Sequence, residues 1–479
     1  MTSQNQQPQR SSPQNQSPGY AMDPNPARTT SQRTLSSSHA YPAQSYQQTI
    51  LQTQKSQHRR EHTPLVVFVL LLTILVAVGA ILSPNLFTSN PGSGTSFAYG
   101  ATGPFVKAPL DSAQVNAIMH LTSYMKYKQL AGLYVSHMTL DEELGQLLMV
   151  EYFDSSYSPD LDTMITKFHA GGVIMYAFQM QTFEQTKHDI AEMQQNASIP
   201  LLIATDQEGG YVNRLANIYG YRTSATDIFN TGNPKVATQQ GQKDAHDLLS
   251  LGINENLAPD VDVNLVNGYD MQTRTFGNTP QDVITYAGAY LKALQGAGVI
   301  GTIKHYPGLG DAVPDAHATL PVVNRTKDQI YSVELAPFKA LIQSPDRLLN
   351  PGVIMPTDVL MPAIDPVYPA ELSHIFMTDI LRKQFGYDGV ALTDALYMTG
   401  VAVNGSRLTI PQAAIMALNA GDDMILGAIT ADEVLATINA FKAALQDGTL
   451  SKARVDEAAT RIIALKMEYH LMPAVPPQE

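Results

Sequence analysis

From about residue 111 onward, short and nearly continuous apolar runs alternate with longer stretches in which apolar residues recur at helical spacing. Eight runs predict strands: GQLLMV (145–150), GGVIMYA (171–177), PLLIATD (200–206), INENLAPDVDV (253–263), GVIGTIKH (298–305), GVIMPTDV (352–359), GVALTDAL (389–396) and DDMILGA (422–428). Runs with so little polar alternation belong to strands buried on both faces, the habit of parallel strands covered by helices. The intervening stretches carry helix punctuation. Thr279 precedes Pro280, with glycines ending the stretch at 298, and the stretch 430–448 shows the same grammar. Alternation of this kind over about 360 residues predicts an α/β fold, a closed (β/α)8 TIM barrel, with an open doubly wound sheet as the second possibility. No short repeat suggests a solenoid, and no G-x-G-x-x-G follows the first strand.

A different texture precedes the barrel. Residues 1–63 are rich in Gln, Ser, Pro, Asn and Thr and poor in large apolar side chains, so they are expected to form a disordered cytoplasmic tail. Residues 64–83 then contain PLVVFVLLLTILVAVGAIL, which is uncharged from Leu65 to Leu82 and has Thr73 as its one clearly polar residue. About 18 residues at helical rise come close to spanning a hydrocarbon core, which predicts a single transmembrane helix. Its place after the long tail fits an uncleaved signal anchor rather than a cleaved leader. Lys55, Arg59 and Arg60 lie just before it with no comparable basic cluster just after, so the positive-inside rule puts the tail in the cytoplasm and the body outside. The expected organisation is tail 1–63, membrane anchor 64–83, extracytoplasmic linker 84–110, barrel 111–472 and a C-terminal tail 473–479.

Composition narrows the classes. At 479 residues with 44% apolar side chains the chain has ample material for a large core. Absence of cysteine excludes disulfides, thiolate zinc sites and a cysteine nucleophile. Net charge is −13, but residues 1–63 hold six Lys/Arg against two Asp/Glu, leaving the remainder at −17. So acidic a body argues against a nucleic-acid partner.

In a parallel barrel, the polar residues that end the strands build the site. Here they are Asp206, Asp260, Asp262, Lys304, His305, Asp358 and Asp394. Any single aspartate among them could instead be a helix cap. His305, Asp315 and His317 also lie within fourteen positions, a spacing that admits a divalent metal.

Four ordered motifs then add a resemblance. TDQEGGYVNRL (205–215), NLAPDVDVN (256–264), KHYPGLGDAVPDAH (304–317) and DGVALTDALYM (388–398), extended by ELSHIFMTDILRKQFGYDGV (371–390), closely resemble the signatures of glycoside hydrolase family 3, in its bacterial β-N-acetylglucosaminidase branch. The match covers roughly residues 115–470. It implies a retaining exo-hydrolase of terminal β-linked N-acetylhexosamine, from glycans such as peptidoglycan fragments, acting through a glycosyl-aspartate. Asp394 corresponds to the nucleophile and the Asp315/His317 pair to the acid/base dyad. Asp206, Arg214, Arg274 (of TRTFG), Lys304 and His305 correspond to sugar contacts. The resemblance implies no metal and no cofactor. The expected partners are a carbohydrate substrate and, through residues 64–83, a membrane; the catalytic domain is expected to be monomeric.

The chain departs from the family pattern at Leu309 (usually His), Ala316 (usually Ser), Tyr211 (commonly Arg) and Asp358 (often His). Leu309 and Ala316 bear on closure of the catalytic loop; Tyr211 and Asp358 bear on the leaving-group side and the sugar preference. Two alternatives stand beside the main reading. One is a β-glucosidase or β-xylosidase of the same family, although such relatives recruit their acid/base from a second domain and only 85 residues follow Asp394. The other is a catalytically silent surface glycan-binding protein.

Overall fold

The computed structural model describes residues 127–266, 271, 273–312 and 320–472. Each of the eight predicted runs holds one barrel strand: β1 Leu148–Val150, β2 Gly172–Ile174, β3 Leu202–Thr205, β4 Glu255–Asn256, β5 Ile300–Tyr306, β6 Val353–Pro356, β7 Val390–Ala395 and β8 Met424–Leu426. They close in the order β1-β8-β7-β6-β5-β4-β3-β2 and every neighbouring pair is parallel. Met149 pairs with Gly172 on one side and Leu426 on the other, which shuts the ring. The open doubly wound sheet is thereby excluded.

β4 is much shorter than its predicted run. Pro259, three residues past its end, has no N–H to give to a ladder. Pairing resumes one residue later, where Asp260 bridges Lys304 and the Val261 N–H donates to the Lys304 carbonyl at 2.8 Å. The same interruption leaves Asp260 and Asp262 at the mouth of the barrel, beside the end of β5.

The helices begin where their caps predict. Thr279 accepts from the Asp282 N–H ahead of Pro280–Gly296. Thr430 and Glu433 form a reciprocal box ahead of Ala431–Asp447, which stops at Gly448 with φ 81°. The connection into β7 is the π-helical segment Ile375–Gln384.

The closed end is held by a buried ion cluster. Asp423, just before β8, accepts from Arg454 at 2.7 Å and Arg461 at 3.0 Å through Oδ1, and from Arg382 at 2.6 Å through Oδ2. The side chain is fully buried, and against that burial the three guanidinium groups hold its carboxyl well below the usual range. A barrel's N-terminal face contributes stability rather than chemistry.

The predicted tail 1–63, anchor 64–83, linker 84–110 and tail 473–479 lie outside the described residues, as do Asp315 and His317. Among the described residues no helix is long and apolar enough to cross a membrane.

Removing Asp423 takes away the carboxylate that three largely buried guanidinium groups share. Asp423→Ala should destabilise the barrel by about 3–5 kcal/mol in denaturant unfolding. A loss below about 1 kcal/mol would show that water reaches the arginines.

Candidate active site

β3 ends at Thr205, and Asp206 leads into a tight hairpin, Gln207–Gly209 paired with Val212–Asn213. Gly209 sits at φ 91°, and a Cβ there would lie 2.3 Å from the Thr223 carbonyl oxygen, so the D-Q-E-G-G turn has no room for a side chain at this position. The turn aims Asp206 and Glu208 at β5. Lys304 Nζ lies 2.6 Å from Asp206 Oδ1 and 2.7 Å from Glu208 Oε1, with Lys304 buried. Burial alone would strip its proton, but the two carboxylates offset this and place its pKa above the ordinary lysine value. Burial likewise works against ionised Asp206, yet Lys304 and Arg214 hold it below the usual carboxylate value. Arg214 stands 3.8 Å from Asp206 and over the Tyr176 ring at 5.6 Å.

Arg274 joins this cluster to His305. It donates to Glu208 through Nε at 2.8 Å and through an Nη at 2.9 Å, and the same Nη lies 3.1 Å from His305 Nε2. A guanidinium only donates, so Nε2 must be the accepting nitrogen. The ring proton therefore sits on Nδ1, 2.7 Å from Asp262 Oδ2. Burial and then Arg274 depress the pKa of His305, consistent with a neutral ring. Lys304 and His305 are adjacent, yet both enter this network; the β5–β6 register shifts between Lys304 and Tyr306, which breaks strict alternation.

Asp260, Asp262 and His305 could by spacing surround a cation, their donor atoms lying within 4.8 Å of one another. Most of their atoms are otherwise engaged. Asp262 accepts from His305 Nδ1–H at 2.7 Å and from the Leu309 N–H at 2.8 Å, and Asp260 Oδ1 accepts from the Asp262 N–H at 2.8 Å; Asp260 Oδ2 has no hydrogen-bond partner among the described residues, with Arg274 3.9 Å away. A guanidinium at that distance disfavours a second cation. Burial pushes Asp262 up to about 6 and, with Asp262 beside it, pushes Asp260 well above its ordinary value. These are groups that share protons.

On the opposite side of the mouth, β7 presents Asp394. Its Oδ2 accepts from Thr357 Oγ1 at 2.9 Å, and its Oδ1 from the Ala395 N–H at 2.8 Å, so both oxygens are fixed while the residue stays partly open to solvent. Two further carboxyls lie behind it. Glu371 is fully buried, its N–H donates to the Thr357 carbonyl at 3.3 Å, and neither carboxyl oxygen has a hydrogen-bond partner among the described residues. Burial, then Asp358, Asp394 and Asp422, drives its pKa well above the glutamate value. Glu151, after β1, accepts from Tyr176 at 3.0 Å and Tyr397 at 3.4 Å; burial, reinforced by Asp206 and Asp394, pushes it up to about 7.

Five expected sugar contacts, Asp206, Arg214, Arg274, Lys304 and His305, thus form one connected network, with Asp394 on the opposite wall. The described ends around 313–319 are anchored. On one side the Leu309 N–H holds Asp262, and Gly310, at φ 55°, comes so near Glu334 that a Cβ would lie 2.6 Å from its Oε1. On the other, Val323 and Leu360 N–H groups each donate across at 2.9 Å, to Leu360 and Pro321 carbonyls. Leu309 itself is buried in the core, so this departure from the family pattern exchanges a polar loop side chain for an apolar anchor. Of the other departures, Asp358 is fully buried and Tyr211 is exposed.

Four participants were missing from the sequence reading: Glu151, Glu208, Thr357 and Glu371. Thr357 lies inside a predicted strand run and Glu151 directly follows one, so strand-end position could have found them. Glu208 and Glu371 lie inside quoted motifs, but Glu371 ends no strand and its place behind Asp394 came only from packing.

Glu151 provides a pH test. A carboxyl whose folded pKa is raised costs stability as pH climbs from its unfolded value through its folded one. Glu151→Gln should therefore gain on the wild type as pH rises, by about 2–3 kcal/mol between about pH 5 and about pH 9 in denaturant unfolding. A gap independent of pH would place the ionised form in the native site.

The model for the glycosyl hydrolase family 3 N-terminal domain matches residues 139–465. Beta-hexosaminidase A of Pseudoalteromonas piscicida is 32% identical over 380 residues, 69% of this chain and 61% of that protein. Beta-hexosaminidase LpqI of Mycobacterium tuberculosis is 28% identical over 408 residues, 82% of this chain and 96% of that protein. Among solved structures, a glycoside hydrolase family 3 beta-N-acetylglucosaminidase from Paenibacillus sp. str. FPU-7 superposes with a TM-score of 0.65 at 33% identity, covering 70% of this chain and 63% of that one. The chain thus spans less than two thirds of the length of some relatives it matches and nearly all of others. With the family's domain matched across the whole described barrel, the chain belongs to glycosyl hydrolase family 3.

Proposed function

We propose that the chain is a retaining exo-β-N-acetylglucosaminidase. The observation that carries this reading is the position of Asp394: a part-exposed carboxylate at the end of β7, oriented through both oxygens, facing a cluster rich in buried donors and acceptors. Asp206, Lys304, Arg214 and Arg274 have the charge and geometry to hold ring hydroxyls of a terminal sugar, and their mutual ion pairs keep them in place before it arrives.

In the proposed first step Asp394 attacks the anomeric carbon as the bond to the leaving oxygen breaks. His317, as imidazolium, gives that oxygen its proton, and a glycosyl ester on Asp394 results. Water then attacks the same carbon, neutral His317 takes its proton, and Asp394 departs as carboxylate. Asp315 orients the ring and supports its cationic form. The anchored flanks at Leu309 and Val323 support this assignment, because they fix both ends of the segment that carries the dyad beside the mouth. No step calls for a metal or a cofactor.

The charged cluster fits a hydroxyl-rich sugar edge, and wall-derived fragments bearing N-acetylglucosamine are the proposed substrate. The proposed location is the outer side of a cell membrane, with the uncharged run Leu65 to Leu82 as a single-pass anchor and the N-terminus in the cytoplasm.

An aryl β-N-acetylglucosaminide tests the chemistry. Asp394→Ala and His317→Ala should each lower kcat by at least about 100-fold, and a fluorinated mechanism-based sugar should leave mass on the peptide containing Asp394. Undiminished turnover in either variant would overturn that residue's role. Faster turnover of the glucoside would favour the glucosidase reading, and binding without trapping the silent one. Thr357→Val removes one of the two hydrogen bonds to Asp394 and should lower kcat about 10- to 100-fold with KM little changed.

A further inference from the structure

Four large aromatic residues stand out in solvent on loops at the Asp394 end of the barrel: Phe153 at 73% exposure, Phe178 at 45%, and Tyr211 and Tyr221 at 69% each. Phe153 follows β1, Phe178 follows β2, and the two tyrosines follow β3. Scattered exposed aromatics need no explanation, but several on adjoining loops at the mouth of a site do. These loops are laced together. Gln179 donates to the Tyr152 carbonyl at 2.7 Å, Asn217 to the Ala177 carbonyl at 3.0 Å, and the Gly210 N–H to the Arg222 carbonyl at 2.9 Å.

The ring of Phe178 is joined to the charged cluster by successive side-chain contacts, and the backbone of Tyr211 lies beside the residue that precedes Arg274. Phe178 stacks on Tyr176, with centroids 6.3 Å apart and planes 7° from parallel. Tyr176 in turn carries Arg214 on its face, and Arg214 stands beside Asp206. Tyr211 is reached from the other direction. Its N–H lies 3.4 Å from Thr273 Oγ1, and Thr273 directly precedes Arg274, the partner of Glu208. The surface therefore changes from charged and buried to aromatic and exposed within a few side chains.

That change matches the chemistry of a β-linked gluco-configured chain. Its terminal sugar offers a rim of hydroxyls to carboxylates and guanidinium groups. Each following pyranose keeps its hydroxyls equatorial and its ring C–H bonds axial, so both faces are apolar and weakly electropositive. Such a face suits the negative face of an aromatic ring and leaves the hydroxyls in water.

We propose that Phe178 and Tyr211 form a stacking platform for the leaving-group sugars, making this chain selective for β-linked N-acetylglucosamine oligomers over short substrates. The inference rests on the exo-glycosidase reading and adds a binding surface to it. It also gives Tyr211 a role, since a neutral ring stands where relatives carry a cation.

The test compares kcat/KM on β-1,4-linked dimers, trimers and tetramers of N-acetylglucosamine. The wild type should improve about five- to tenfold from dimer to tetramer. Phe178→Ala and Tyr211→Ala should flatten that rise, while Phe178→Tyr and Tyr211→Phe should keep it. A flat wild-type series, or a loss of equal size at every length in the alanine variants, would overturn the platform. The two readings fail separately: inactivity toward the aryl glycoside would count against the hydrolase, whereas normal aryl turnover with a flat series would count against the platform alone. If no oligomer is cleaved, calorimetric titration with the tetramer and with free N-acetylglucosamine makes the same comparison. Tetramer binding no tighter than the monosaccharide overturns the platform, and tighter binding that both alanine variants lose supports it.

Discussion

A buried ammonium has to be neutralised where it stands, and in this barrel that requirement organises the mouth. Lys304 is held within 2.7 Å of both Asp206 and Glu208. Without them, burial would deprotonate it; without it, two carboxylates would be left in a water-poor pocket. Arg274 extends the balance by pairing Glu208 through two nitrogens and by touching His305, whose other nitrogen is committed to Asp262. Each ionised group is therefore positioned by another rather than by solvent. The donors and acceptors of this cluster are oriented in advance of any ligand.

The opposite wall solves a different problem. There Asp394, partly open to solvent, lies near three buried carboxyls, Asp358, Glu371 and Glu151. Glu371 and Glu151 are driven toward the neutral form by burial first and by neighbouring carboxylates second. The carboxylate that Thr357 and the backbone orient is thus backed by carboxyls whose own ionisation is disfavoured. One wall is built from ion pairs and the other from carboxyls with raised pKa values. Asp423 shows the contrast at the N-terminal end of the barrel, where three arginines converge on one buried carboxylate.

Much of this architecture was legible in the chain because it rests on local rules. All eight apolar runs became strands, since a run without polar alternation can be buried on both faces only in a covered parallel sheet. Thr279 and Thr430 marked helix starts because capping is a contact within one turn. Strand-end position picked out Asp206, Lys304, His305 and Asp394, and Arg274 entered by resemblance; packing joined all but Asp394 into one network and set Asp394 on the facing wall. The shortening of β4 was also foreshadowed, by Pro259, though the extended run concealed it.

By itself the sequence determined strand number, helix starts and the set of ionisable residues at the strand ends, all properties of spacing along one chain. Only the tertiary structure decided which of those groups carry charge. The Lys304–Asp206–Glu208 cluster, the proton on His305 Nδ1 and the raised pKa of Glu371 depend on neighbours brought together in space, 31 positions apart for Arg274 and His305 and 98 for Asp206 and Lys304, and on water being excluded from between them. Ionisation responds to neighbours in space and to local dielectric, and neither is written in the order of residues.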